Sequence, residues 1–107
     1  MRVLLDLEAV AEAIDISVAA AMKRAQRGRL PGVCQPAGRG GPRLVPLEAL
    51  TIPEQRQARI ATEARRAAWG QGLDPNDPEL TCIVHYADGK RAFEMVRPPL
   101  IRIVGDN

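Results

Sequence analysis

The sequence predicts an α+β fold: a winged helix-turn-helix, a third helix and a C-terminal β-hairpin. Three observations predict it. Two short runs with apolar residues at helical spacing, residues 7–14 and 18–27, are separated only by Asp15, Ile16 and Ser17. A seven-residue loop from Pro36 to Pro42 holds three glycines and two prolines and lies between two short apolar runs. Near the C-terminus, two strand-like runs flank Ala87, Asp88, Gly89 and Lys90, which carry the strong Asp-Gly hairpin signal.

Element by element, Val3, Leu4 and Leu5 read as a short strand. Asp6 suits an N-cap, because its carboxylate can accept from the open N–H groups of a first turn. Leu7, Val10, Ala11 and Ile14 then form one apolar helical face. Asp15 and Ile16 make the turn, and Ser17 caps a second helix that runs to about Arg27 and ends at Gly28. The spacing assigns Val18, Ala21, Met22 and Ala25 to its buried side. It leaves Ala19, Lys23, Gln26 and Arg27 outward, with Arg24 beside them. Residues 30–35 lead into a strand whose return partner is residues 43–46, so the glycine-rich segment is a hairpin tip. Residues 47–50 make a single turn. Pro53 then opens a helix in a favoured first-turn position, continuing to Trp69 and stopping at Gly70. Its apolar positions are mostly alanine and its other side is rich in arginine. Residues 71–78 form a turn-rich linker with Asp74-Pro75 and Asp77-Pro78. Strands at 81–86 and 91–96 make the hairpin, Pro98 and Pro99 interrupt the chain, and 100–104 reads as a further strand. The expected organisation is a winged helix-turn-helix unit with its following helix over 1–70, then a linker and hairpin over 71–107.

A chain of 107 residues has room for one domain. Its 46% hydrophobic content excludes general disorder. Aromatics are limited to Trp69, Tyr86 and Phe93, so the core is built from Leu, Val, Ile and Ala. The net charge of +2 says little, but its distribution says more. Residues 23–66 hold ten Lys/Arg against three Glu, whereas residues 67–107 hold four Lys/Arg against six Asp/Glu. Asp6, Glu8 and Glu12 interrupt the N-terminus where a secretory signal needs an apolar stretch, and no run approaches membrane-spanning length. Cys34 and Cys82 are lone cysteines, read as free thiols of a cytoplasmic protein rather than a disulfide. No Cys/His cluster with metal-ligand spacing occurs, so neither metal nor cofactor is expected.

The candidate site is a basic window. Residues 16–47 contain Lys23, Arg24, Arg27, Arg29, Arg39 and Arg43 and no acidic residue. An unneutralised basic face is self-repelling in isolation and favourable once phosphates approach. A recognition helix places long side chains on base edges and phosphates in the major groove. Lys23, Arg24, Gln26 and Arg27 suit that role, Arg29 and Arg43 flank it, and Arg39 at the loop tip can follow the backbone or enter the minor groove. A nucleotide-binding phosphate loop would end in Lys-Ser/Thr before a helix, and Pro42-Arg43-Leu44 supplies neither. Catalysis is not expected. The carboxylates sit at caps and turns, Ser17 has no neighbouring base, and the single histidine, His85, reads as a packed or solvent-facing strand residue.

Residues 7–14, Ser17, Met22-Lys23-Arg24-Ala25, Gly38-Arg39-Gly40-Gly41 and residues 46–56 resemble the N-terminal DNA-binding domain of Mu-type phage transposases and repressors. The resemblance covers about residues 3–66. Two features depart from the family pattern: Thr51-Ile52 separates Leu50 from Pro53, and Leu30-Pro31 stands where a tryptophan is usual. The resemblance implies a winged-helix fold and binding of mobile-element or operator DNA through Lys23, Arg24, Arg27 and Arg39. The same segments also resemble excisionase-like and MerR-like winged helices, which keep the chemistry and change the biology. Transposases of this type cut DNA on a separate, larger domain, for which these residues have no room. The alternative of a different class is a protein-interaction module, with the Arg-rich third helix and sheet edges engaging an acidic partner. The C-terminal hairpin lies outside the resemblance and either extends the wing sheet or forms a homodimer surface.

Overall fold

The chain starts on a strand, β1 (Arg2–Asp6), whose last residue opens the first helix. The computed structural model describes residues 1–35 and 41–97. Within them lie α1 (Leu7–Ala13), α2 (Val18–Gln26), β2 (Leu44–Pro46), a 3-10 turn at Leu47–Ala49, α3 (Ile52–Ala58), α4 (Ile60–Gly70), β3 (Thr81–Ala87) and β4 (Lys90–Val96). The described residues form a mixed α+β structure around a four-stranded sheet of order β2-β1-β3-β4.

Capping chemistry sets the first helices. Asp6 accepts from the Ala9 amide at 2.7 Å and Ser17 from the Ala20 amide at 3.1 Å, satisfying donors that a helix start leaves open. At the end of α1 the Ile16 amide reaches back to the Ala11 carbonyl (2.9 Å) and Asp15 takes a left-handed backbone (φ 56°). The same pair of features ends α2: the Arg29 amide bonds the Arg24 carbonyl (2.9 Å) across Gly28 at φ 71°. The turn between the helices is therefore short and hydrogen-bonded.

The helices cover one face of the sheet. Val3, Leu5, Val45, Cys82 and Val84 alternate along the strands and meet Val10 of α1, Ala21 and Ala25 of α2, Ala58 of α3, and Ile60 and Ala64 of α4. β2 runs antiparallel to β1, with Leu5 opposite Val45. β3 runs parallel to β1, with Val3 opposite Cys82 and Leu5 opposite Val84. The C-terminal hairpin thus extends the sheet that the N-terminal strand begins. It turns on Asp88 (φ 55°) and Gly89 (φ 75°), the two positive-φ positions that a tight two-residue hairpin requires.

Two expectations are corrected. The single helix predicted from Pro53 to Trp69 is two helices broken at Arg59, which adopts a left-handed conformation (φ 61°). Residues two apart on one helix point to nearly opposite sides, yet Ala58 (6% exposed) and Ile60 (0%) both reach the core. The break makes that possible. α3 also begins one residue before Pro53, behind a reciprocal cap: Thr51 Oγ1 accepts from the Glu54 amide (3.3 Å) and Glu54 Oε1 from the Thr51 amide (2.9 Å). The second correction concerns the wing. Cys34 and Leu44 exchange both backbone hydrogen bonds, at 2.9 and 2.7 Å, but form a single bridge rather than a strand pair. Leu44–Pro46 pairs instead with β1. The loop tip with Arg39, and the strand expected at 100–104, lie outside the described residues.

Candidate nucleic-acid interface

α2 is held by a narrow ridge. Ala21 and Ala25 are buried, and these small side chains let the helix lie close to its neighbours. Most of its remaining circumference is exposed. With about 3.6 residues per turn, Met22, Gln26, Ala19, Lys23 and Arg27 follow one another round the outward side. All five are exposed, as is Arg29 just beyond the helix. The predicted outward residues are therefore on one continuous face. Two of the residues predicted to be buried are not: Val18 is 40% exposed and Met22 42%. Hydrophobic spacing marks the side of a helix nearest the core. It does not report how wide a strip the neighbours cover, and alanine neighbours cover little.

Arg24 lies at the other margin of this face, where its guanidinium stands 3.7 Å from Glu54 of α3. It is partly neutralised there, so its charge is less available to an approaching anion than that of Lys23 or Arg27. Among the described residues, Lys23, Arg27, Arg29 and Arg43 make no ion pair.

Arg43 is brought beside α2 by the fold. A groove of about 160 Å³ is lined by Asp6, Leu7 and Glu8 at the start of α1, Val18 and Met22 of α2, and Pro42 and Arg43 on the chain entering β2. The base of the loop is closed by the Cys34–Leu44 pair and by Gln35 Nε2 donating to the Gly41 carbonyl at 2.9 Å. Sequence distance hides this arrangement, because β2 is placed by pairing with β1 and β1 leads directly into α1.

No family model matches the chain, and no curated protein or solved structure matches it. No helix among the described residues is long and apolar enough to cross a membrane.

Two polar clusters were not legible in the sequence. The first centres on His85, on the sheet face away from the helices. Its Nδ1 lies 3.0 Å from Asp6 Oδ2 and its Nε2 3.1 Å from Glu94 Oε1. Only the imidazolium can donate to both carboxylates at once. Partial burial pulls the histidine pKa down, but its hydrogen bonds to Glu94 and Asp6 and their charges outweigh it, and the net shift is upward. A raised folded-state pKa means that protonation favours the fold. This contribution is complete below the ordinary value of about 6.5 and is lost as pH rises through the raised one. Thermal melts from pH 6 to 8 are therefore expected to show a fall in Tm with pH that His85→Gln lacks. Parallel slopes for the two proteins would remove His85 as the cause.

The second cluster centres on Arg91 of β4. It pairs with both carboxylate oxygens of Glu12, donates to Glu63 Oε1 at 2.9 Å, and donates to the Ala58 carbonyl at 2.7 Å. The two free thiols are Cys34 and Cys82; burial pushes the Cys82 pKa to about 11, which leaves it protonated and unreactive.

Proposed function

We propose that this protein is a non-catalytic DNA-binding domain of a phage or mobile-element transposase or regulator. It contacts duplex DNA through α2 and the glycine-rich loop that precedes β2. The observation that carries the reading is the groove joining α2 to Arg43, with Lys23, Gln26, Arg27 and Arg29 exposed along the same helix and its end. Cations from separate segments are gathered beside one convex helix, and a helix is the element that fits a major groove. The loop base closed beside it by the Cys34–Leu44 bridge supports a loop contact next to the helix, and the resemblance to Mu-type and excisionase-like winged helices supports the same reading. Gln26 and Arg27 have the donor patterns that pair with adenine and guanine.

The test is a titration of random-sequence duplex at several salt concentrations. Engagement of most of Lys23, Arg24, Arg27, Arg29, Arg39 and Arg43 predicts a log–log slope of about −4 to −5. Affinity that does not weaken with added salt would exclude phosphate contact as the source of binding.

A second reading, an interaction module for an acidic partner, draws on the exposed Arg56, Arg59 and Arg66 of the α3–α4 segment and on β4, which pairs on one side only among the described residues. The same open edge would serve a homodimer. Charge reversal on the two surfaces separates these readings.

A further inference from the structure

The outward face of α2 is divided along its length. Its first turn carries Val18, Ala19 and Met22, all exposed, and no long polar side chain. Ser17, which precedes them, is occupied in capping. The second half and the residues just after it carry Lys23, Gln26, Arg27 and Arg29. Val18 and Met22 also line the groove that they share with Leu7, Pro42 and Arg43.

We propose that this apolar first turn reads the 5-methyl group of thymine in the major groove. The inference rests on the DNA-binding reading above and adds a base preference to it. Three physical points support it. A helix docked in a major groove presents its N-terminal residues to base edges. The only apolar group on the major-groove edge of the four bases is the thymine methyl. The first turn offers no extended hydrogen-bonding side chain, so contact with methyl groups is the discrimination left to it. Charge orients the approach. Arg43 in the groove lining and Lys23 and Arg27 along the helix attract phosphates. Glu8, which lines the groove from the first turn of α1, repels them there. Asp6, the other acidic group of the groove, is held by the Ala9 amide and His85. The strands of DNA then flank the apolar patch, and base edges face it.

The test compares a duplex of mixed A and T with the same duplex containing deoxyuridine in place of thymidine, measured by fluorescence anisotropy at fixed salt. The intact protein is expected to bind the thymidine duplex more tightly, by about fourfold for each methyl group taken out of contact. A Val18→Ala and Met22→Ala double variant replaces only exposed side chains. It is expected to bind the two duplexes within twofold of each other, with the salt slope unchanged. Equal affinity of the intact protein for both duplexes overturns the inference and leaves DNA binding standing. Retention of the thymidine preference by the variant overturns the assignment to these residues. Failure to bind either duplex at 50 mM salt overturns both readings.

Discussion

Exchanging Arg27 and Arg43 for glutamate together is expected to weaken binding to random duplex by about a hundredfold or more, equivalent to at least about 2.7 kcal/mol. On the proposed DNA-binding reading, each substitution removes one phosphate contact and adds a repelling charge to the surface that a duplex would approach. The salt slope should fall by about 2 units, one for each lost contact. Stability should barely change. Both residues are exposed and, among the described residues, neither makes an ion pair, so the folded state holds no partner to abandon. The companion variant, Arg56→Glu with Arg66→Glu, changes the same net charge on the α3–α4 side. It is expected to alter duplex affinity by less than about threefold at physiological salt, because on the proposed reading neither residue contacts phosphate and exposed charges are screened by salt. Arg56 is preferable to Arg59 here because Arg59 occupies the left-handed break between the helices. Loss confined to the Arg56/Arg66 variant would move the interface to α3–α4 and favour the acidic-partner reading.

Arg91→Ala is expected to have the largest effect on stability. Arg91 joins four elements: β4, which carries it; α1 through Glu12; the end of α3 through the Ala58 carbonyl; and α4 through Glu63. Removing the guanidinium leaves two carboxylates beside one another and a helix-end carbonyl without its donor. The pair with Glu12 is only partly exposed, 16% for the Arg91 side chain and 28% for Glu12, whereas Glu63 is 41% exposed. The cost should therefore fall between that of a surface pair and that of a buried one, at about 2–3 kcal/mol. For a domain of this size that lowers Tm by roughly 10 °C or more. Arg91→Lys should recover little, because one ammonium cannot reproduce the two-pronged contact with Glu12 while also reaching Glu63 and the carbonyl. A loss under about 1 kcal/mol in denaturant titrations would show that Arg91 behaves as an ordinary surface cation.

The local instructions in this chain were legible because they act over three or four residues. Asp6 and Ser17 cap the helices that their positions predict, Gly28 ends α2, and Asp88-Gly89 turns the hairpin. The cations of α2 were placed outward correctly, since helical periodicity alone decides that Lys23 and Arg27 lie opposite Ala21 and Ala25. The exposure of Val18 and Met22 was misjudged because burial depends on what a neighbour covers. The unbroken helix was misjudged because the arginine at its break reads as a good helix former. Its left-handed turn lets both Ala58 and Ile60 reach the core, and the Arg91 guanidinium donates to the Ala58 carbonyl beside it.

By itself the sequence determined the caps and turns of the first two helices, the outward side of α2 that carries Lys23 and Arg27, the C-terminal hairpin, and the concentration of positive charge between residues 16 and 47. Each depends on neighbours along the chain. Only the tertiary structure decided that Thr81–Ala87 lies parallel to β1, that Arg43 shares a groove with Val18 and Met22, and that Asp6, His85 and Glu94 form a row across the sheet. Those contacts join segments far apart in sequence. Their geometry follows from which apolar surfaces can be buried together, a property of the whole sheet that no single segment encodes.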